Sequence, residues 1–327
     1  MIISKTPLRI SFAGGGSDIN WFYAKNPGAV VSSAIDKYIY ITVNKKFDHK
    51  IRASYSKTEI VENVNYLKHD LIRECMKLLK IDGGIEITSI SDIPSEGTGL
   101  GSSSTYTVGL LQALYAYKNK FIPAEVLAKQ ACKIEIDLLA KPVGKQDQYI
   151  AAYGGLRFIR FNTDSSVRTD LVICNPMTIK LLSKNLLMLY TGLTRSASDV
   201  LLNQKNKVAL NERKLNLMRQ MVRIAHEMKK GLENNNLNSF GELLHANWLL
   251  KKKLGDGISN DKIDKWYSVA RRNGAIGGKI TGAGGGGFLL LYAPHQKHSK
   301  IINALPNLIP LPISLEAEGS KIIFVGG

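Results

Sequence analysis

The chain has 327 residues, 44% hydrophobic and 22% charged, and its 44 Lys and Arg against 27 Asp and Glu give a formal charge of +17. That composition excludes a disordered or fibrous chain, and the length accommodates two domains with a cleft between them. The charge admits anionic partners, yet the basic residues are dispersed, Lys251-Lys252-Lys253 is the only run of three, and no aromatic-rich nucleic-acid signature accompanies them. Polyanionic small molecules are therefore favoured over nucleic acid.

No stretch approaches the roughly 20 apolar residues of a membrane helix, and Met1-Ile2-Ile3-Ser4-Lys5 lacks a signal-peptide core, so a cytoplasmic protein with no membrane partner is expected. Cys75, Cys132 and Cys174 show no C-x-x-C spacing and suggest neither disulfides nor zinc. None of the six histidines has metal-ligand spacing.

Strand patterning appears at 8–12, where Arg9 alternates with Leu8, Ile10 and Phe12, and it ends in Ala13-Gly14-Gly15-Gly16-Ser17-Asp18. Further strands are predicted at 30–35, 38–43, 51–55 and 85–90, with a helix over 67–79. From Ser104 the spacing of Tyr106, Leu110, Ala113, Leu114 and Tyr117 predicts a helix, and a second runs over 123–140. A strand at 156–161 and a polar stretch at 162–170 suggest that the first domain closes there, with the boundary within 162–185. The second half reads as strands at 186–190, 288–292 and 321–325 with helices near 196–230, 239–254 and 262–273, an α+β mixture.

Glu96-Gly97-Thr98-Gly99-Leu100-Gly101-Ser102-Ser103-Ser104 joins a strand to a helix. Backbone N–H groups converging at a helix N-terminus bind phosphate oxygens, and glycines let the chain wrap closely. Gly97, Gly99 and Gly101 supply that wrap, while the hydroxyls of Ser102, Ser103, Ser104 and Thr105 can cap the helix, touch phosphate or ligate Mg²⁺. A Walker A loop and the H-R-D and D-F-G motifs are absent; Gly282 to Gly287 matches G-x-G-x-x-G but precedes a strand, so the dinucleotide reading fails.

Glu135 falls on the apolar face of its helix, and position leaves open whether it serves a metal or pairs with a lysine. In Gly144-Lys145-Gln146-Asp147-Gln148, Asp147 can accept a proton while Lys145 stabilises its ionised form, or the two can form a surface pair. Arg9 and Asp18 can meet a polyhydroxylated ligand or make plain salt bridges. Arg195, in Tyr190-Thr191-Gly192-Leu193-Thr194-Arg195-Ser196, can clamp an anion or sit on a surface beside a helix cap.

Thr6 to Asp18, Pro94 to Ser104, and Lys279-Ile280-Thr281-Gly282-Ala283-Gly284-Gly285-Gly286-Gly287 resemble, in order, the three motifs of the GHMP kinases, the family of galactokinase, homoserine kinase and mevalonate kinase. The resemblance implies an α+β, two-domain fold: an N-terminal mixed sheet and helix domain over 1–175, a C-terminal ferredoxin-like domain over 176–327, and a cleft between them. It implies ATP held by Pro94, Gly97, Thr98, Gly99, Leu100, Gly101, Ser102, Ser103 and Ser104, with Mg²⁺ on Ser103 and Glu135. Asp147 would be the catalytic carboxylate, stabilised by Arg9, and Asp18 would hydrogen-bond sugar hydroxyls; position adds Lys145 to the catalytic set, and Gly15, Gly16, Ser17, Arg195, Gly284 and Gly285 are expected to face the substrate.

The T-P-L-R-I-S-F-A-G-G-G-S-D opening and the G-K-Q-D-Q turn further resemble members that phosphorylate the anomeric hydroxyl of D-glycero-D-manno-heptose 7-phosphate. Galactokinases carry a Glu-His pair where this chain has Gly15-Gly16-Ser17 before Asp18, which argues against galactose. The expected partner is a small sugar phosphate, a homo-oligomer being allowed. The alternatives are another sugar 1-kinase acting on an unphosphorylated aldose and a non-catalytic ligand-binding member.

Overall fold

The computed structural model describes residues 1–94, 97–194, 208 and 211–326. Its larger sheet is built on two long strands, β1 (Ile2–Ala13) and β2 (Gly28–Lys45), paired antiparallel. The segments expected as separate strands at 30–35 and 38–43 are thus one strand. Asp36 and Lys37 break the apolar pattern without breaking the backbone, because Asp36 N donates to Ser314 O.

β2 changes neighbours along its length, since the chain reaches it from three places. Its second half pairs with β5 (Ile85–Ser91), which leads to β3 (Ile51–Ser54) and β4 (Thr58–Val61). Its first half pairs with β6 (Leu156–Phe161), which is followed by β7 (Val167–Leu171) in the stretch read as polar. The smaller sheet contains β8 (Leu186–Tyr190), β9 (Gly277–Ile280), β10 (Phe288–Tyr292) and β11 (Ile309–Leu311), in the order β11-β8-β10-β9. With helices between β8 and β9 and between β10 and β11, this is the ferredoxin-like arrangement. Finally β12 (Leu315–Glu316) pairs with β2 and β13 (Lys321–Val325) with β1, so the end of the 176–327 half returns to the first sheet.

Among the described residues the α-helices are α1 (Asn20–Tyr23), α2 (Asp70–Leu78), α3 (Ser102–Tyr117), α4 (Ala124–Cys132), α5 (Gln146–Tyr153), α6 (Pro176–Asn185), α7 (Glu212–Glu233), α8 (Phe240–Lys252), α9 (Asp261–Arg272) and α10 (His298–Ala304). α6 lies in the region read as an interdomain boundary; Asn175 caps it through Met177 N and Pro176 begins it, a start signal hidden among polar neighbours. The helix expected over 123–140 is α only to Cys132 and continues as a wider π turn over Lys133–Leu138.

α3 is buried nearly all round between the larger sheet and its neighbours, which explains its lack of a polar face. In the smaller sheet β8 and β10 are buried on both faces. Leu186, Met188, Phe288 and Leu290 join the core that continues into the larger sheet, while Leu187, Leu189, Leu289 and Leu291 join a second core with Trp248 and Ile263. That shared core fixes the two sheets against each other and holds open a cleft lined from both.

Candidate active site

A cavity of about 620 Å³ lies in this cleft, lined by the Gly15–Gly16 turn, the glycine loop, the start of α5 and the β9–β10 loop. Each wall follows from local structure. Gly101, at φ +78°, caps α3, and a Cβ there would lie 3.1 Å from Asp147 Oδ2. A side chain at this position would therefore meet both backbone strain and the carboxylate. Beyond it α3 presents the unbonded N–H groups of its first turn and the hydroxyls of Ser102, Ser103 and Ser104 to the cavity. The β9–β10 loop closes over the glycine loop through Thr281 Oγ1, which donates to Thr98 O at 2.9 Å.

Arg9 is 4% exposed although its strand alternates, because the face opposite the core is covered by the site. Its Nε and Nη2 donate to Asp147 Oδ1 and Oδ2 at 2.7 and 2.6 Å, and Nη1 donates to Gly99 O at 2.6 Å. This planar fork fixes the plane of the Asp147 carboxylate and ties it to the glycine loop. Gln146 steadies the same carboxylate, its Nε2 donating to Asp147 Oδ1 at 3.1 Å while its Oε1 accepts from Ser11 Oγ at 2.7 Å.

Asp18, at the end of the glycine turn after β1, caps α5: its Oδ2 accepts from Gln146 N at 3.2 Å and its Oδ1 from Gly16 N at 3.0 Å. Gly144 allows this approach, since a Cβ there would fall 1.9 Å from Asp18 Oδ2. Burial, then the neighbouring Asp147 charge, raises the Asp18 carboxyl above its usual range.

The π turn brings Glu135 inward, fully buried, where its Oε2 accepts from Ser103 Oγ at 3.2 Å and Ser104 Oγ at 3.1 Å. Burial is the main cause that pushes its carboxyl up to about 7, with Lys141 and the two serines opposing. Mg²⁺ is commonly bound through one or two carboxylates together with substrate phosphates and waters. A desolvated carboxylate beside serine hydroxyls at the start of α3 suits that chemistry.

Of the expected residues, Arg9, Gly15, Gly16, Asp18, Gly97, Thr98, Gly99, Gly101, Ser102, Ser103, Ser104, Glu135, Asp147 and Gly284 line one cavity. Others do not reach it. Lys145 is a correction: its Nζ donates to Ser165 O at 2.9 Å and lies over the Tyr23 ring, because the start of α5 turns it away from the face carrying Asp147. Arg9 occupies the position beside Asp147 that adjacency in sequence suggested for Lys145. Ser17 is buried in its own turn, bonded to Ala29, and Leu100 lies in the core, accepting from Arg9 N through its carbonyl. Pro94 is exposed outside the cavity, and Gly285 N is used by Ile258 O. Arg195 lies outside the described residues.

The sequence reading gave no role to Ser11, Gln146, Lys251, Lys279 and Thr281, all of which line the cavity. For Lys251 a signal exists: Phe240, Leu244, Asn247, Trp248 and Lys251 form one buried stripe of α8, so the lysine falls on an inward face.

A glycine loop at a helix start, an arginine-held carboxylate and a second buried carboxylate around one cleft define a small-molecule kinase site. Comparison with known proteins agrees. Residues 65–155 match the GHMP kinases N terminal domain and residues 228–310 the GHMP kinases C terminal domain. The chain is 33% identical over 321 residues to D-glycero-alpha-D-manno-heptose 7-phosphate kinase of Campylobacter jejuni, covering 93% of each chain. It is 28% identical to mevalonate kinase of Pyrococcus horikoshii, covering 97% of this chain and 88% of that one. In fold it resembles a D-glycero-D-manno-heptose 1-phosphate kinase from Bacteroides thetaiotaomicron, with a TM-score of 0.83, 22% identity and full coverage of both chains. The chain belongs to the GHMP kinase family and is an ATP-dependent phosphotransferase. Among the described residues no helix is long and apolar enough to cross a membrane.

Proposed function

We propose that the enzyme phosphorylates the anomeric hydroxyl of D-glycero-D-manno-heptose 7-phosphate, giving the 1,7-bisphosphate and ADP, in a cytoplasmic route to activated heptose for surface polysaccharide. The observation that carries the transfer chemistry is the Arg9–Asp147 pair at the foot of the glycine loop. The heptose relative supports the sugar, and the Gly15–Gly16 turn beside Asp18 borders the cavity in which an acceptor would lie.

In this reading the first turn of α3 and the Gly97–Gly101 wrap hold the ATP phosphates. Ser103 and Glu135 would hold Mg²⁺, which supplies neutralisation of phosphate charge when bound. Asp18 accepts hydrogen bonds from sugar hydroxyls. Asp147 accepts the proton of the attacking anomeric hydroxyl as its oxygen forms the bond to the γ-phosphorus and the bond to the ADP oxygen breaks. Arg9 holds Asp147 in line throughout. Most of the acceleration is positional and electrostatic.

The deciding experiment is an ADP-release screen of aldoses and heptoses, each with and without a terminal phosphate. The heptose 7-phosphate should have the highest kcat/KM. Equal turnover of phosphorylated and unphosphorylated sugars would overturn the assignment.

A further inference from the structure

Two lysines of the C-terminal half are buried in the cleft wall, and their only hydrogen bonds to described residues go to main-chain carbonyls. Lys251 and Lys279 are 4% and 1% exposed; Lys251 Nζ donates to Gly282 O at 2.7 Å and Lys279 Nζ to Ser11 O at 2.8 Å. The other charged groups at this end of the cleft have hydrogen-bond partners of their own. Arg9 holds Asp147, and backbone N–H groups of Gly16 and Gln146 hold Asp18.

Burial, reinforced by the Lys251 and Arg9 charges, pushes the Lys279 ammonium well below its usual range. Lys251, lowered to about 8 mainly by burial, retains most of its charge at neutral pH. The Asp18 and Asp147 charges offset only part of that burial, and a ligand's negative charge would offset more.

Its position also singles out Lys251. A Cβ at Gly15 would lie 3.9 Å from Lys251 Nζ, so the ammonium overhangs the turn that borders the cavity. One helical turn earlier on the same face, Asn247 Oδ1 accepts from Gly14 N at 3.1 Å and fixes that turn in place. One ammonium donor is used on Gly282, leaving the others for a ligand.

We propose that Lys251 is a ligand-binding residue that holds a phosphate dianion over the Gly15–Gly16 turn. Two sources share this chemistry: a phosphate carried by the acceptor and the phosphoryl group leaving ATP. The inference rests on the kinase reading of the cleft and is independent of which sugar is used.

The test measures the rise in Tm of the intact protein with inorganic phosphate, with and without a saturating non-hydrolysable MgATP analogue. Phosphate should stabilise the wild type and Lys251→Arg, while Lys251→Met should need about 10- to 100-fold more phosphate for the same shift, as expected for a lost charged hydrogen bond. Persistence of the wild-type shift with the analogue bound assigns the site to the acceptor's phosphate; its loss assigns it to the transferred phosphoryl. A Lys251→Met response equal to that of the wild type overturns the proposal. If Lys251→Met does not fold, Lys251→Gln is judged by the same criterion. Should the acceptor screen fail for heptose 7-phosphate while the Lys251-dependent shift remains, only the sugar assignment falls.

Discussion

Arg9 and Asp147, 138 residues apart, meet through two parallel hydrogen bonds at 2.7 and 2.6 Å, and the third arm of the guanidinium reaches Gly99 O. One side chain thus couples the orientation of the Asp147 carboxylate to the glycine loop. Loss of either partner should cost more in catalysis than in nucleotide binding. We expect Asp147→Asn to lower kcat by about 10²–10⁴, the usual worth of a positioned base, with ATP affinity largely retained. A steady-state ADP assay beside a nucleotide titration checks this, and wild-type turnover would remove Asp147 from its role.

Glu135 faces Ser103 and Ser104 from a buried π turn. Glu135→Gln keeps the shape and removes the charge. Turnover at a fixed low Mg²⁺ concentration should fall about 100-fold, the size of losing about 2.7 kcal/mol of charge stabilisation, and should recover in part as Mg²⁺ is raised. An unchanged Mg²⁺ dependence would leave Glu135 a structural residue.

Gly101→Ala places a Cβ 3.1 Å from Asp147 Oδ2 at a left-handed backbone position. Strain of about 1–2 kcal/mol should lower Tm, and displacement of the carboxylate should lower kcat as well. A fall in Tm with normal kcat would mean that Asp147 tolerates the shift.

Lys145→Ala should retain turnover within about threefold, because this side chain contacts Ser165 O and the Tyr23 ring, and surface contacts of this kind contribute little. A hundredfold loss in the same kinetic assay would restore it to the site.

Lys251 gives a pH dependence of definite sign. Its folded pKa of about 8 lies below the usual lysine value of 10.5, so between those limits the unfolded chain binds the proton and the folded chain does not. Stability therefore rises with pH across that window, and below about pH 8 the full burial penalty applies. In ligand-free, phosphate-free buffer, wild-type stability should gain on that of Lys251→Met by on the order of 3 kcal/mol between pH 8 and 10.5. Parallel urea-denaturation profiles for the two proteins across that window would refute it.

Much of the fold was legible because its periodicities are local. β8, β10 and β13 lie where alternation and apolar runs put them, and α3 begins at the serines after the glycine loop. Less was legible where tertiary contacts overrule local pattern. β2 runs through Asp36-Lys37 because neighbouring strands satisfy its backbone, and the helix after Pro123 widens at Lys133 where Glu135 meets the serines. Lys145 looked like the partner of Asp147 because it is near in sequence, yet successive helical residues face different directions.

The sequence by itself determined a glycine loop running into a helix and singled out Arg9, Glu135 and Asp147, which the fold brings to one cavity, since glycine spacing, a helix start and ordered motifs are properties of short segments. Only the tertiary structure decided that Arg9 rather than Lys145 grips Asp147, that Ser17, Leu100 and Gly285 serve the scaffold, and that Lys251 and Lys279 enter the cleft. Those choices depend on which faces of β1, α5, α8 and β9 are buried together, and burial against a distant element is fixed by packing rather than by the spacing of neighbouring residues.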